Sequence, residues 1–271
     1  MADVPFGGTA CAAPRILISN DDGIDAHGLK VMEEIAAKIS DDVWVVAPQT
    51  EQSGAAHSLT LTQPLRMHEV GPKRFAVQGT PTDCVMLAVY HLLDGQRPDL
   101  LLSGINMGVN LAEDVTYSGT VAAALEGALL SIPSIAISQQ INWETGEAHW
   151  QSAPAFVPDL IAKLLGTEWP SGVLMNINIP NLAANQIQGV QATVQGQRDA
   201  SQMVIDQRTD MRGAPYYWIG FREHLGEPHA ETDLAAIERG AISVTPLHIN
   251  LTDRAMCDRV AKMLAGDGGP A

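Results

Sequence analysis

The sequence predicts a three-layer α/β fold built on a doubly wound, mostly parallel sheet. Short apolar runs of four to six residues alternate with helical segments of ten or more. Several of these runs are continuously apolar rather than alternating, as strands covered on both faces require. A chain of 271 residues, 46% of them hydrophobic, can bury a sizeable core. No repeat and no long linker divides it.

The elements follow in order. Arg15 to Ser19 is a buried strand, and Asn20-Asp21-Asp22-Gly23 is the loop after it. Leu29, Met32, Ile35 and Ile39 recur at helical spacing. Asp42 to Ala47 is a second strand, stopped by Pro48, and Phe75 to Gln78 a third. Thr80 is the expected N-cap of the next helix, with Pro81 at its first position and Asp83 completing a capping box. Leu100 to Ser103 is a strand closed by Gly104, and Ser118-Gly119-Thr120 precedes an Ala-rich helix, Val121 to Leu130. Pro133 to Ser138 and Val173 to Ile179 are strands flanking a helix from about residue 155 to 165. The pattern changes after Pro180. Gln188 to Thr193 and Tyr216 to Ile219 read as strands separated by a polar stretch, a hairpin excursion over about 195–240. It is either an arm for subunit contact or a plain surface insertion. Ala241 to Pro246 is the last strand and Asp253 to Leu264 a terminal helix. The division expected is a flexible tail over 1–14 and a single α/β domain over 15–271.

Sixteen Lys and Arg against 31 Asp and Glu give a net charge of −15. With no basic stripe, a nucleic-acid polymer or an anionic membrane is excluded as the main partner. Cys11, Cys84 and Cys257 are too few and too widely spaced for a disulfide framework or a CxxC metal site. Cys84, inside an apolar stretch, reads as a buried thiol. Residues 1–14 lack the charged and apolar regions of a secretory signal, and no apolar run reaches bilayer length. A cytoplasmic protein is expected.

Ligands of open α/β sheets bind beyond the carboxyl ends of the strands. The polar residues there are Asn20, Asp21 and Asp22 after the first strand, Ser53, Gly54 and His57 after the second, and Asn106 and Asn110 after the Leu100 strand. Two adjacent carboxylates repel unless a cation lies beside them. Asp21, Asp22, Ser53 and Asn106 offer only oxygen donors, which suit Mg²⁺ or Mn²⁺ rather than zinc. The competing reading of Asp21-Asp22 is an Asx turn capping the following helix. Ser118-Gly119-Thr120 reads as a phosphate cradle at a helix start or as an ordinary N-cap. His57 reads as a proton donor, a substrate contact or a structural hydrogen-bonding group. The GxGxxG, Walker A and G-x-S-x-G motifs are absent.

The blocks Ile16–Gly23, Val46–Pro48 with Gln52–Gly54, His57–Thr60, Gly79–Val85, Ser103–Asn106 with Gly108 and Asn110, Tyr117–Ala124, Asn176–Pro180, Thr232-Asp233 and Ser243–Leu247 resemble those of the SurE family of stationary-phase survival proteins. The resemblance runs from Arg15 to about Leu264. It implies a Rossmann-like fold and metal-dependent hydrolysis of nucleoside 5′-monophosphates. In some members, 3′-monophosphates and short polyphosphate are also attacked. It also implies one divalent cation per subunit, held by Asp21, Asp22, Ser53 and Asn106. On this reading Asp21 and Asp22 are the catalytic pair. Asn20, Gly54, His57, Asn110, Ser118, Gly119 and Thr120 are the substrate and phosphate contacts. Homodimers or homotetramers with an exchanged C-terminal segment are implied too, which gives the late hairpin and terminal helix a purpose. Ala26-His27-Gly28 departs from the family's usual triplet, and the region 195–231 matches least. A haloacid-dehalogenase mechanism would need Asp-x-Asp where Asp21 and Asp22 are adjacent. The non-catalytic alternative is a nucleotide-sensing or receiver-like module. A receiver needs a third Asp after a later strand, where this chain has Gly79-Thr80.

Overall fold

The computed structural model describes residues 13–94, 96–198, 203–221 and 229–265. The expected tail at 1–14 lies outside them except for its last two residues. Strand β1 (Ile16–Ser19) passes through the 20–26 loop into helix α1 (His27–Ala36), and β2 (Val43–Pro48) follows. β3 (Met67–Gly71) and β4 (Arg74–Val77) form an antiparallel pair. β3 is unanticipated because it is an edge strand with a largely exposed, polar sequence and so carries no apolar run. α2 (Pro81–Leu87) continues into a π-helical turn at Ala88–Leu92. Then come β5 (Leu100–Met107), α3 (Gly119–Leu129), β6 (Ser134–Gln139), α4 (Ser152–Leu165) and β7 (Val173–Ile179). The chain closes with β8 (Val190–Ala192), β9 (Met203–Thr209), β10 (Pro215–Phe221), α5 (Asp233–Glu238), β11 (Ile242–His248) and α6 (Arg254–Ala265).

Nine strands form one sheet in the order β3-β4-β2-β1-β5-β6-β7-β11-β8. β4, β2, β1, β5, β6 and β7 run parallel, and β11 returns antiparallel beside β7. From β1 the chain first builds outward through β2, then comes back to place β5 on the other side. That reversal puts a switch point at the carboxyl ends of β1 and β5. The excursion differs in detail from the sequence reading. Val190–Ala192 pairs in parallel with β11, so it belongs to the main sheet. The hairpin is β9 with β10 alone.

The expected three layers are present. Ile16 and Ile18 of β1 face a core completed by Leu29, Met32 and Ile35 of α1 and Val157 and Ile161 of α4. Leu17 faces the opposite core, with Cys84 and Val85 of α2 and Val121, Ala123 and Ala124 of α3. All three β1 residues are fully buried, each contributing about 1.5–3 kcal/mol through apolar burial. This explains an uninterrupted apolar strand.

Two local devices shape the sheet edge. β5 runs past Gly104 because an irregularity between Ser103 and Asn106 lets pairing with β6 resume at Ser138. Such a bulge re-aims the following side chains, here Asn106. Gly104 is required there: its φ is +127°, and a Cβ would lie 2.2 Å from the Ile137 carbonyl oxygen. The capping box of α2 forms as predicted, with Thr80 Oγ1 accepting from the Asp83 amide (3.1 Å) and Asp83 Oδ2 from the Thr80 amide (2.9 Å). Asp83 also accepts from the Thr60 amide (3.0 Å) and hydroxyl (2.6 Å), so it fastens the long loop after β2 to the same helix start.

Candidate active site

Asp21 leaves β1 at the switch point and is 4% exposed. The Thr120 hydroxyl donates to its Oδ1, and the Gly119 and Thr120 amides favour its ionised form. The start of α3 approaches so closely only because residue 119 has no side chain. A Cβ there would stand 2.7 Å from Asp21 Cβ and 2.9 Å from Oδ2. The Asp21 carbonyl accepts from the Gln52 amide (2.7 Å), which ties in the loop after β2. Asp22 Oδ2 accepts from the Met107 amide (3.0 Å), which draws the end of β5 alongside. One residue earlier, Asn106 donates through Nδ2 to the Gly108 carbonyl (2.8 Å), leaving its amide oxygen as the acceptor end.

Among the described residues no Lys, Arg or His forms an ion pair with Asp21 or Asp22. Burial raises the Asp21 pKa, against the opposing pull of Thr120 and the nearby amides. Burial, and then the Asp21 charge, push Asp22 up to about 6; the Met107 amide opposes this and Glu51 adds to it. A buried and a partly buried acid side by side, with no cationic side chain paired to either, fit a hard divalent cation, which would remove the electrostatic penalty. The donor chemistry agrees. Among the described residues no three His, Cys, Asp or Glu converge as a metal cluster. The set is therefore two carboxylates and an amide oxygen, not a zinc-type site.

The other sequence candidates are distributed as follows. Ser53 is exposed and donates to Glu51 Oε1 (2.9 Å), so it reaches the pair only by way of that carboxylate. Glu51, whose charge bears on Asp22, was missed by sequence reasoning; only its place in the same loop marked it. Asn20 is buried and closes the loop by donating to the Gly23 carbonyl (2.9 Å). Gly54 sits at a turn with φ +78° and open space around it. Asn110 is held in a buried network: its amide donates to Asn178 Oδ1 (2.7 Å) and its side chain to Ser138 (2.8 Å). Its carbonyl accepts from Asn176 (2.8 Å) and Asn178 (3.1 Å). Ser118 is the N-cap of α3, accepting from the Val121 amide (3.1 Å). The start of α3 is thus occupied by Asp21 and its own cap rather than standing open as a cradle. His57 pairs with the buried Glu126 (3.0 Å). At about 1.5 Å per residue, Glu126 lies on the order of 10 Å along α3 from the Asp21 contact. Among the described residues no hydrogen bond or ion pair joins His57 to Asp21 or Asp22.

A family model described as Survival protein SurE matches residues 16–202. The chain belongs to the SurE family. A protein of Caulobacter vibrioides named 5′-nucleotidase SurE is 52% identical over 254 residues, covering 93% of this chain and 97% of that one. The protein of the same name from Phenylobacterium zucineum is 55% identical over 238 residues, 88% of this chain and 92% of that one. The crystal structure of the SurE protein from Aquifex aeolicus superposes with a TM-score of 0.82 at 38% identity, covering 93% of this chain and all of that one. Asp21, Asp22, Ser53, Asn106, Asn110 and Thr120 all fall inside the SurE match, whereas β9, β10, α5, β11 and α6 lie beyond it.

The Asp22 pKa carries a pH prediction. A carboxyl raised to about 6 stabilises the metal-free fold while protonated. That contribution is full below the unfolded value of 3.8 and is lost as pH rises through about 6. A cation needs the deprotonated form. Thermal melts should therefore show a large Mn²⁺-induced rise in Tm at pH 7.5 and a much smaller one at pH 5. Equal rises at both pH values would contradict the pairing of cation and Asp22.

Proposed function

We propose that this SurE-family chain is a metal-dependent 5′-nucleotidase that hydrolyses nucleoside monophosphates to nucleoside and phosphate. The observation that carries the reading is the Asp21–Asp22 pair at the switch point of the sheet, Asp21 buried and Asp22 partly buried, with no Lys, Arg or His paired to either among the described residues. Asp21, Asp22, Asn106 and, after a turn away from Glu51, Ser53 would hold one divalent cation per subunit, Mg²⁺ or Mn²⁺. When bound, that ion offsets phosphoryl charge and acidifies a water. The chain's own residues do the rest. Asp21, with Oδ1 fixed by Thr120, turns its other oxygen to the attacking water and orients it. The Ser118 hydroxyl, whose oxygen accepts from the Val121 amide, keeps its proton to donate to a phosphate oxygen. Water oxygen bonds to phosphorus, the ester P–O bond breaks, and the leaving ribose oxygen takes a proton from solvent, His57 being engaged elsewhere. The same chemistry extends to 3′-monophosphates and short polyphosphate, which present the same phosphoryl unit.

A receiver-like sensor is disfavoured, because β4 leads into the capping box of α2 where a receiver would place its acceptor Asp. Phosphate release over a panel of nucleoside monophosphates and polyphosphate tests the proposal; nucleotide binding without release at saturating metal would favour the sensor.

The same reading takes residues 15–271 as one unit that works as a homodimer or homotetramer through its C-terminal segment. Its support is exposed apolar surface: among the described residues Trp218 is 61% and Ile219 71% exposed on β10, and α6 buries none of its residues. Light scattering should give a mass of two or four chains for the wild type and a lower one when β9–β10 and its turn are replaced by a short linker. A wild-type monomer would contradict it. The free thiols of Cys84 and Cys257 agree with a reducing cytoplasm, which fractionation would check.

A further inference from the structure

A nucleotide held by its phosphate at Asp21 and Asp22 must lay its base on a neighbouring surface. The loop between β6 and α4 offers one. Trp143 stands at its tip with 76% of its surface exposed. The tip is firmly built. Asn142 Oδ1 accepts from the amides of Glu144 (2.9 Å) and Thr145 (3.2 Å). The Asn142 amide donates to the Glu147 carbonyl (2.9 Å), and the Gly146 amide to the Asn142 carbonyl (2.7 Å). Asn181, just after β7, anchors the base of the loop through Glu147 (3.1 Å) and His149 (2.9 Å). The tied loop fixes the backbone that carries the indole, so a ligand need not supply that part of the ordering.

The indole leans on the site itself. It packs over Gly108, with Cζ2 at 3.0 Å and Cη2 at 3.3 Å from the position a Gly108 Cβ would take. Asn106 Nδ2 is 3.9 Å from that same position. Between them, Met107 is half exposed while its amide holds Asp22. An apolar, planar surface therefore adjoins one side of the acidic site. Aromatic side chains bind bases by stacking without regard to their edges, because every base has a π-face.

We propose that Trp143 is the stacking platform for the nucleobase of the substrate, an inference that rests on the nucleotidase reading above. The substrate class is then nucleoside monophosphates of either ring type, with purines favoured for their greater overlap. The rival seat for the base is a cavity of about 420 Å³ on the β2 and β4 side, with Gln49, Gln63 and Gln78 among its lining residues.

Steady-state kinetics with Mn²⁺ decide between them, using AMP, CMP and ribose 5-phosphate, which has no base. Trp143→Ala should raise KM for AMP about 10-fold, and for CMP by less, with kcat retained and ribose 5-phosphate kinetics unchanged. Trp143→Phe should restore most of the AMP affinity. An unchanged AMP KM, equal losses on AMP and ribose 5-phosphate, or an AMP-selective loss in Gln78→Ala but not in Trp143→Ala would each overturn the assignment. Wild-type turnover of ribose 5-phosphate as efficient as that of AMP would overturn the stacking and leave the phosphatase chemistry standing. No phosphate release from any of the three would remove the nucleotidase reading itself.

Discussion

Asp21→Asn should lower nucleotide turnover by at least about 10³-fold, since loss of a metal ligand forfeits several kcal/mol of transition-state stabilisation. The fold should survive. Asparagine has the same shape, and its amide oxygen can still accept from the Thr120 hydroxyl that now donates to Asp21 Oδ1. The substitution also removes the buried member of an uncompensated acid pair whose pKa values are both raised. The metal-free variant should therefore melt at or above the wild-type temperature, and the Mn²⁺-induced rise should be largely lost. Inactivity with a lower metal-free Tm would assign Asp21 a structural role. Near-normal activity with excess Mn²⁺ would sink the ligand assignment.

Gly119→Ala should be nearly as damaging to catalysis, by a different route. The added methyl would overlap Asp21, at 2.7 Å from its Cβ and 2.9 Å from Oδ2. Neither partner can yield easily, because Thr120 is fully buried and Asp21 nearly so. Overpacking of this kind costs about 1–3 kcal/mol of stability. A displacement of the carboxylate by about 1 Å costs roughly 10²-fold in rate. The variant should thus combine a modest fall in Tm with a fall in kcat of about 10²-fold or more. Unaltered kcat would show that the start of α3 does not position Asp21.

What was legible in the sequence followed from strong local signals. β1 was visible because Ile16, Leu17 and Ile18 fill two cores at once, which leaves no polar alternation. The start of α2 was visible because Thr80, Pro81 and Asp83 are a complete cap within four residues. β3 and β9 were not visible. The first is mostly exposed along one edge, and the second belongs to a hairpin separate from the main sheet, so neither carries a buried apolar pattern.

The site was legible as a set of residue types at strand ends, but not as a set of contacts. Asp21, Asp22 and Asn106 gather at the switch point. Sequence could not foresee that Thr120, 99 residues away, spends its hydroxyl on Asp21, nor that His57 turns to Glu126. Those partnerships depend on how α3 crosses the sheet, which no local pattern encodes. Trp143, one of five tryptophans that read from sequence as packing residues, is instead 76% exposed, and its place above Gly108 is marked by no motif around it.

On the proposed reading, a divalent cation at the Asp21–Asp22 pair makes this chain a nucleotidase. Phosphate release from a 5′-nucleoside monophosphate by the purified wild-type protein, after exhaustive chelation and again after adding back Mn²⁺ or Mg²⁺, tests it most directly. The chelated protein should release no phosphate, and either hard cation should restore turnover, leaving nucleoside and phosphate in equal amounts. Undiminished release after chelation, or none with any divalent cation, would contradict it.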